Sequence, residues 1–528
     1  MPVPPASRNR STISAAVGSS TLSPKVMVPR TAGASRRPRM SMSRNGFLPF
    51  GRPRATRRRA AGRPRADHAC VFHATDIACF VHDAAWTNRR PSPRRGPMSN
   101  RLAVIADDLS GAAEVAAVLG SGSATVALTL PAALEHVARA SSDVVLDCDT
   151  RALDPSSRRA VIAQATLRMR AAGAPVRLVK TDSLLRGGVG DVVDGLSDAG
   201  ARVVLASALP ALGRTVVDGR LLVHGRPVAD AGLHGLEARV VPGPLAAVGR
   251  RARSVPLAVV RAGSDAVLDA VVRAHAAGAV PVLDADSDED LDRIAVALDG
   301  ADCTVVGSGG IAAAIGRLRG ARAPSATAPG SGDPTGAPGE RQSVLLVVGT
   351  ASTEATEQLE VLAANGVPVT PVPREVLLRA VDRREVDDID HPALHAVRAA
   401  LRSGSAAICV EDRHEPVPHL ARRLADGLGI VAAAISGRAA LVLTGGETAR
   451  SVLTRLEITA IVPEGVVEPG CIVSRADDGR RVVTRPGSFG TVTNLLDAAT
   501  ILQAAREDPF TAGGRVQAAA RRTNERQH

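Results

Sequence analysis

Val176-Arg177-Leu178-Val179-Lys180-Thr181-Asp182-Ser183-Leu184-Leu185-Arg186-Gly187-Gly188 decides how the chain is read. The apolar run 176–179 has the length and β-branched content of a strand, and it ends on a lysine, two hydroxyls, a carboxylate, an arginine and a diglycine. Such groups at the C-terminal end of a strand sit where open α/β sheets take their ligands. Lys180 also stands out by composition, as the only lysine after Met98 in a stretch that otherwise uses arginine for every cation. An ammonium kept where guanidinium is the habit marks a place where a compact charge is needed.

Outward from this segment, short apolar runs alternate with helical periods. Strands are predicted at 102–105, 125–130, 144–147 and 203–206, and helices at 111–119 and 156–172. Apolar runs at 257–260, 280–283 and 304–307 continue the strand series. Residues 321–342, dense in Pro, Gly, Ser and Ala, read as a linker. Beyond it, strands are predicted at 344–348, 406–410 and 440–443, and helices at 353–365, 419–430, 447–456 and 494–506. The predicted fold is α/β, two α/β domains with mostly parallel sheets and the active site in the interdomain cleft. The boundaries are a basic low-complexity extension at 1–97, an N-terminal domain at 98–320, the linker, a C-terminal domain at 343–510 and a polar tail at 511–528.

The net charge of +12 divides unevenly. Residues 1–97 hold 19 of the 65 Lys+Arg and 3 of the 53 Asp+Glu, so the remainder, with 46 basic and 50 acidic residues, is net −4. An acidic body without a basic stripe argues against a nucleic-acid partner. The extension also holds the only Trp, Trp86, and four of the six Phe, which sets it apart as a disordered leader or a misassigned start, with translation beginning at Met98. A transit peptide or a basic arm are the other readings of Arg-rich, acid-poor sequence. No run of 18 apolar residues is present, so no membrane span is predicted. Six scattered cysteines without a CxxC pair suit a reducing compartment, and the body is expected to be cytoplasmic.

Chemistry-bearing residues recur at other strand ends. Asp107-Asp108 follow the first strand and precede Ser110-Gly111, where one acid can cap a helix and the other suits a general base or a Mg²⁺ contact. Thr444-Gly445-Gly446-Glu447-Thr448 opens a helix whose first amides can bind phosphate, although a plain strand-to-helix turn would look the same. This segment is neither GxxxxGK[ST] nor GxGxxG. Arg485-Pro486-Gly487-Ser488-Phe489-Gly490 places a scarce aromatic among glycines, as a ring contact or a core plug, and Gly349-Thr350-Ala351-Ser352 ends another strand in small hydroxyl residues.

The ordered motifs IADDLSGA, LDCDTRAL, KTDSLLRG, ALPALGRTVVDGRLLVHGRPV, VVGTAS, LTGGETA and RPGSFG, spread over residues 101–503, resemble those of the four-carbon acid sugar kinases, which include 3-oxo-tetronate, D-threonate and D-erythronate kinases. The resemblance implies an N-terminal sugar-acid-binding domain and a C-terminal ATP-binding domain. It places ATP contacts on Ser352, Gly445, Gly446, Glu447, Thr448 and Gly487, and the sugar acid near Asp107, Asp108, Arg151, Lys180, Asp182, Ser183, Arg186 and Arg214. The chain departs from the family pattern at Leu184, where Thr is common, at Arg485, where Lys is common, and after Val228, where the segment is shorter and lacks an Asp-Pro element.

The expected reaction is transfer from ATP, with Mg²⁺, to the terminal O4 hydroxyl of a tetronate or 3-oxo-tetronate. Asp107 or Asp108 would accept the hydroxyl proton or hold Mg²⁺, Lys180 would offset charge at the phosphoryl group or the substrate carboxylate, and Arg151, Arg186 or Arg214 would anchor that carboxylate. An NAD-dependent oxidoreductase on similar acids is a rival reading, weakened because Asp107-Asp108 stand where a dinucleotide fingerprint would place glycines. A non-catalytic sugar-acid or nucleotide sensor is another.

Overall fold

Every residue of Val344–Val348 is buried, which is the environment of a strand covered by helices on both faces. Val344, Leu346 and Val348 pack with Leu359 and Leu362 of helix Thr353–Ala364 and with Leu495 and Leu502 of helix Asn494–Gln503. Leu345 and Val347 point the other way, into the cluster that holds Leu428 and Val431 of helix Ala421–Ser436. The period-2 alternation of a strand thus serves two apolar layers at once. This computed structural model describes residues 101–504 apart from 121, 140–141, 231–240, 322–341, 384–390, 412–419 and 488–489. The expected extension at 1–97, nearly all of the expected linker, Phe489 and the tail at 511–528 lie outside the described residues.

Fifteen described strands form one sheet. The order across it begins Val369–Val372, Ser405–Val410, Val344–Val348, Ala440–Thr444, Arg481–Arg485, Cys471–Ala476 and Ala460–Glu468. It continues through Ala124–Ala127, Asp143–Asp147, Ala103–Ala106, Val176–Lys180, Thr304–Gly307, Val203–Ala206, Val280–Leu283 and Ala252–Val255. Pairing is parallel except around Ala460–Glu468 and Cys471–Ala476. The two expected α/β halves share this sheet, joined where Ala460 pairs antiparallel with Ala127 and Ile461 with Val126. One apolar cluster runs through both halves.

The strand order reverses twice. From Ala103–Ala106 the chain crosses to strands on one side, and from Val176–Lys180, its neighbour, to strands on the other. The same divergence separates Val344–Val348 from Ala440–Thr444. Crevices open at the carboxyl ends of strands at such switch points.

One expected strand is a helix. Leu257–Arg261 is helical with Pro256 at its N-cap, and the strand lies upstream at Ala252–Val255. Proline fixes φ and lacks an N–H, so it suits a helix start, and a four-residue apolar run carries no period that separates strand from helix. A three-stranded antiparallel sheet, Arg214–Val217, Arg220–Val223 and Arg226–Pro227, also escaped the sequence reading. No described helix is long and apolar enough to cross a membrane.

Ile461 is fully buried at the joint between the halves. Ile461→Ala should cost about 2–5 kcal/mol in urea denaturation, and a loss below about 1 kcal/mol would mean that the joint carries little packing.

Candidate active site

Asp107 and Asp108 follow the last residue of Ala103–Ala106, at the first switch point. Asp108 is the N-cap of helix Leu109–Val118, its Oδ1 accepting from the Gly111 amide at 2.9 Å. Asp107 points into the protein and is buried. Arg151 clamps both acids: its Nη2 donates to both Asp107 oxygens at 3.0 Å, its Nε to Asp107 Oδ2 at 3.2 Å, and its Nη1 to Asp108 Oδ2 at 2.7 Å. Burial raises the Asp107 carboxyl above its usual range, with Asp108 adding to the rise and Arg151 opposing it.

Lys180 ends the neighbouring strand, and its buried ammonium lies 3.6 Å from Glu114. A Cβ on Gly111 would stand 2.8 Å from Lys180 Nζ, so a side chain there would fill the space the ammonium occupies. Burial lowers the Lys180 pKa, but Glu114, Asp107 and Asp108 together carry it above the ordinary lysine value, so the charge is kept. Asp182 accepts from Arg186 Nε and Nη2, both at 2.8 Å, while Ser183 Oγ accepts from Arg214 Nη1 at 2.5 Å. Burial pushes the Asp182 carboxyl up, but the Arg186 hydrogen bonds and the charges of Arg186, Arg151 and Lys180 together outweigh it, leaving the group well below the usual carboxylate range. Arg214 has its pKa lowered by burial, which outweighs the attraction of Asp182.

The second switch point gathers the other expected residues. Gly445, at φ 93°, is the N-cap of helix Gly446–Arg455, and no side chain caps this end, so its first amides are available to an anion. Ser352 caps helix Thr353–Ala364, accepting from the Ala355 amide and donating to the Gly487 carbonyl, each at 3.2 Å. Ser352 and Gly487 are therefore neighbours, and the turns after three adjacent parallel strands, Val344–Val348, Ala440–Thr444 and Arg481–Arg485, lie side by side. Thr448 is buried, and Glu447 stands 3.8 Å from Arg422, its carboxyl raised by burial against the pull of that arginine.

The two groups meet. A Cβ on Gly446 would lie 3.0 Å from Asp108 Oδ2, so the diglycine of one half rests against the acid pair of the other. Arg422 Nη2 donates to Asp149 at 2.7 Å, and Arg450 bonds to the Asp147 carboxylate and, at 2.8 Å, to the Leu128 carbonyl. Burial, aided by Asp149 and opposed by Arg450, pushes the Asp147 carboxyl up to about 6.

The segment 102–315 matches the family model described as a sugar-binding N-terminal domain, and 345–495 matches that of a nucleotide-binding C-terminal domain. A D-threonate kinase of Cupriavidus necator is 33% identical over 416 residues, covering 75% of this chain and 96% of that protein. The chain belongs to the four-carbon acid sugar kinase family. A 3-oxo-tetronate kinase of Methylobacterium radiotolerans is 29% identical over 74% of this chain and 97% of its own length. The crystal structure of a Haemophilus influenzae protein assigned to family model DUF1537 shares the fold, with a TM-score of 0.54 at 20% identity over 75% of this chain and 99% of that one. As a member of the kinase family this protein is a phosphotransferase with an alcohol acceptor. The acid pair and Lys180 fall inside the sugar-binding match, and Ser352, Gly445–Thr448 and Gly487 inside the nucleotide-binding match.

Sequence reasoning passed over Glu114, Asp147, Asp149, Arg422 and Arg450, which complete the charge network of this kinase. Glu114 follows Gly111 by three residues, one helical turn, and that spacing was a readable signal. A cavity of about 540 Å³, bordered by His136, Glu464 and Arg475 near the joint, contains none of the expected site residues.

A carboxyl raised in the folded state binds its proton more tightly than in the unfolded chain, so its contribution to stability falls as pH rises through that interval. For Asp147, raised from 3.8 to about 6, wild type should lose stability relative to Asp147→Asn between pH 4 and pH 6, by roughly 2 kcal/mol. Urea denaturation of both proteins across this range measures it, and parallel curves would mean that Asp147 titrates normally.

Proposed function

We propose that this protein is an ATP-dependent kinase that phosphorylates the terminal O4 hydroxyl of a four-carbon sugar acid, a tetronate or 3-oxo-tetronate. The observation that carries the reading is the contact between Gly446 and Asp108, which puts an uncapped helix N-terminus beside a buried acid–arginine–lysine cluster. Kinase chemistry asks for that adjacency, because phosphoryl transfer depends on positioning and charge neutralisation. The relatives named D-threonate kinase and 3-oxo-tetronate kinase supply the substrate class.

Gly446, Glu447 and Thr448 present backbone amides to the phosphates of ATP, Gly445, whose own amide donates to the Arg485 carbonyl at 2.9 Å, shapes the turn beside them, and Ser352 and Gly487 border the nucleotide from the adjacent turns. Asp108 accepts the proton of the attacking hydroxyl, since its Oδ2 is the carboxylate oxygen turned toward Gly446. Asp107, with both oxygens held by Arg151, fixes that guanidinium. Lys180 keeps its charge and offsets negative charge on the transferring phosphoryl group. Arg214 anchors the substrate carboxylate: it is largely desolvated and its observed hydrogen bond goes to a neutral hydroxyl, so an anion beside it is strongly favoured. Arg186, already paired with Asp182, shapes the wall beside it.

The acid pair makes a poor ready-made Mg²⁺ cage. Each of its four oxygens already accepts from Arg151 or Gly111, and the described residues hold no group of three or more ligating side chains. A Mg²⁺ ion would accordingly be held by the phosphates of the nucleotide rather than by these residues, and would supply charge neutralisation there.

ADP release assayed over D-erythronate, D-threonate and 3-oxo-tetronates should show turnover on at least one acid, with phosphorus NMR placing the phosphate on O4. Silence on all of them would defeat the reading. Lys180→Arg should lower kcat on the order of 10²-fold with the fold intact by circular dichroism, and wild-type turnover would remove Lys180 from the chemistry. Arg214→Met should raise the sugar-acid KM roughly 10-fold or more while leaving the ATP KM unchanged, because a charged hydrogen bond to the substrate is lost. An equal rise in both KM values would mean that Arg214 does not contact the acid.

A further inference from the structure

Arg450 lies on the helix that opens with the diglycine, yet its guanidinium serves the other half of the sheet. Nη1 donates to the Asp147 carboxylate and, at 3.2 Å, to the Asp147 carbonyl; Nη2 reaches the Leu128 carbonyl at 2.8 Å, and Nε lies 3.5 Å from Asp149. The Asp147 side chain is fully buried, and its Oδ1 accepts from the Asp149 amide at 3.0 Å. Asp149 adopts a left-handed φ of 47°, and the turn it starts brings the Thr150 and Arg151 amides onto the Asp107 carbonyl at 3.0 and 3.3 Å. Hydrogen bonds to Asp147 and the short peptide 149–151 thus link the phosphate-side helix to the residue whose guanidinium clamps both acids. Arg422 adds a second grip on the same turn through Asp149.

Burying an ion pair is a poor way to gain stability, because desolvation cancels much of the attraction and an apolar pair of similar volume often does better. A multidentate guanidinium does fix geometry, since its donors accept one arrangement of acceptors. We propose that Arg450 and Asp147 are positioning residues that hold the phosphate-binding helix at a fixed offset from the Asp107–Asp108–Arg151 cluster. They act on the transfer step and on neither ligand's binding by itself. The inference rests on the reading that the two turns hold the two substrates. Misplacement by about 1 Å can cost on the order of 10²-fold in rate, so a register device of this kind has a measurable signature.

The test uses Arg450→Met, Asp147→Asn and the double variant in the full-length protein, with rates corrected for the folded fraction. The expected result is a fall in kcat of roughly 10- to 100-fold, with KM for ATP and for the sugar acid each within about threefold of wild type. The double variant should be no slower than the worse single one, because both remove one interaction. Amide hydrogen exchange should rise together at 147–151 and 446–450 in Arg450→Met. A kcat within about twofold of wild type, a tenfold rise in one KM alone, or exchange that rises at only one of the two segments would overturn the proposal. If wild type turns over no four-carbon acid, the proposed reaction falls, and the paired exchange response still decides whether the two turns are coupled.

Discussion

Two carboxylates on consecutive residues, at the buried end of a strand, cannot both stay ionised unless cations are brought to them. Asp107 and Asp108 are in that position, and the arrangement around them follows from the need. Arg151 reaches both from the turn that follows the strand on one side, and Lys180 stands at the end of the strand on the other. Lys180 is itself buried, and Glu114 supplies the further anion that keeps it charged. The strand order that places Ala103–Ala106 between Asp143–Asp147 and Val176–Lys180 is therefore also the order that makes the charges compatible. A different neighbour on either side would leave the pair short of a cation.

On the nucleotide side the governing constraint is the helix terminus. The end of Gly446–Arg455 has no side-chain cap, and the absence of a Cβ at Gly446 lets this backbone approach Asp108. The amides left without intrahelical partners have an evident use once a phosphate is near them. The continuous sheet keeps this terminus and the acid pair in one frame. The antiparallel strands Ala460–Glu468 and Cys471–Ala476 carry the hydrogen bonding from one half to the other, and Ala113 and Ala117 of the acid-capped helix pack on Val466 and Ile472 of those strands.

How far the sequence disclosed this depends on the range of each interaction. Strands such as 203–206, 280–283 and 344–348 are legible because burial on both faces leaves an unbroken apolar run. Lys180 and the Asp107-Asp108 pair are legible because charged side chains that end such a run contribute little to packing and stand at the carboxyl ends of strands, where open α/β sheets take their ligands. The joint at Val126 and Ile461 is invisible, since nothing local in either strand names a partner more than 300 residues away. Asp147 and Arg450 escaped for the same reason: each looks like a routine charge until their helix and strand are brought together. Leu257–Arg261 was misread because four apolar residues after a proline satisfy both periods.

The contrast between Lys180 and Arg485 acquires a steric cause. Arg485 is buried, yet its fork has acceptors set at its own reach, the Gln358 Oε1 at 2.6 Å and the Pro486 carbonyl at 3.3 Å, so a planar guanidinium fits that strand end. Around Lys180 the geometry is closed: the ammonium lies within 3 Å of the place a Gly111 Cβ would take, with Glu114 beside it and Asp108 at the same turn. A guanidinium is broader and longer, and it would push into the helix start that Asp108 caps. Arginine can therefore take over a lysine's place where the task is to hold a loop, as at 485, and is shut out where a point charge must sit against a helix N-terminus between carboxylates. The compositional oddity at 180 is the trace of that closed space, and the space is set by Gly111.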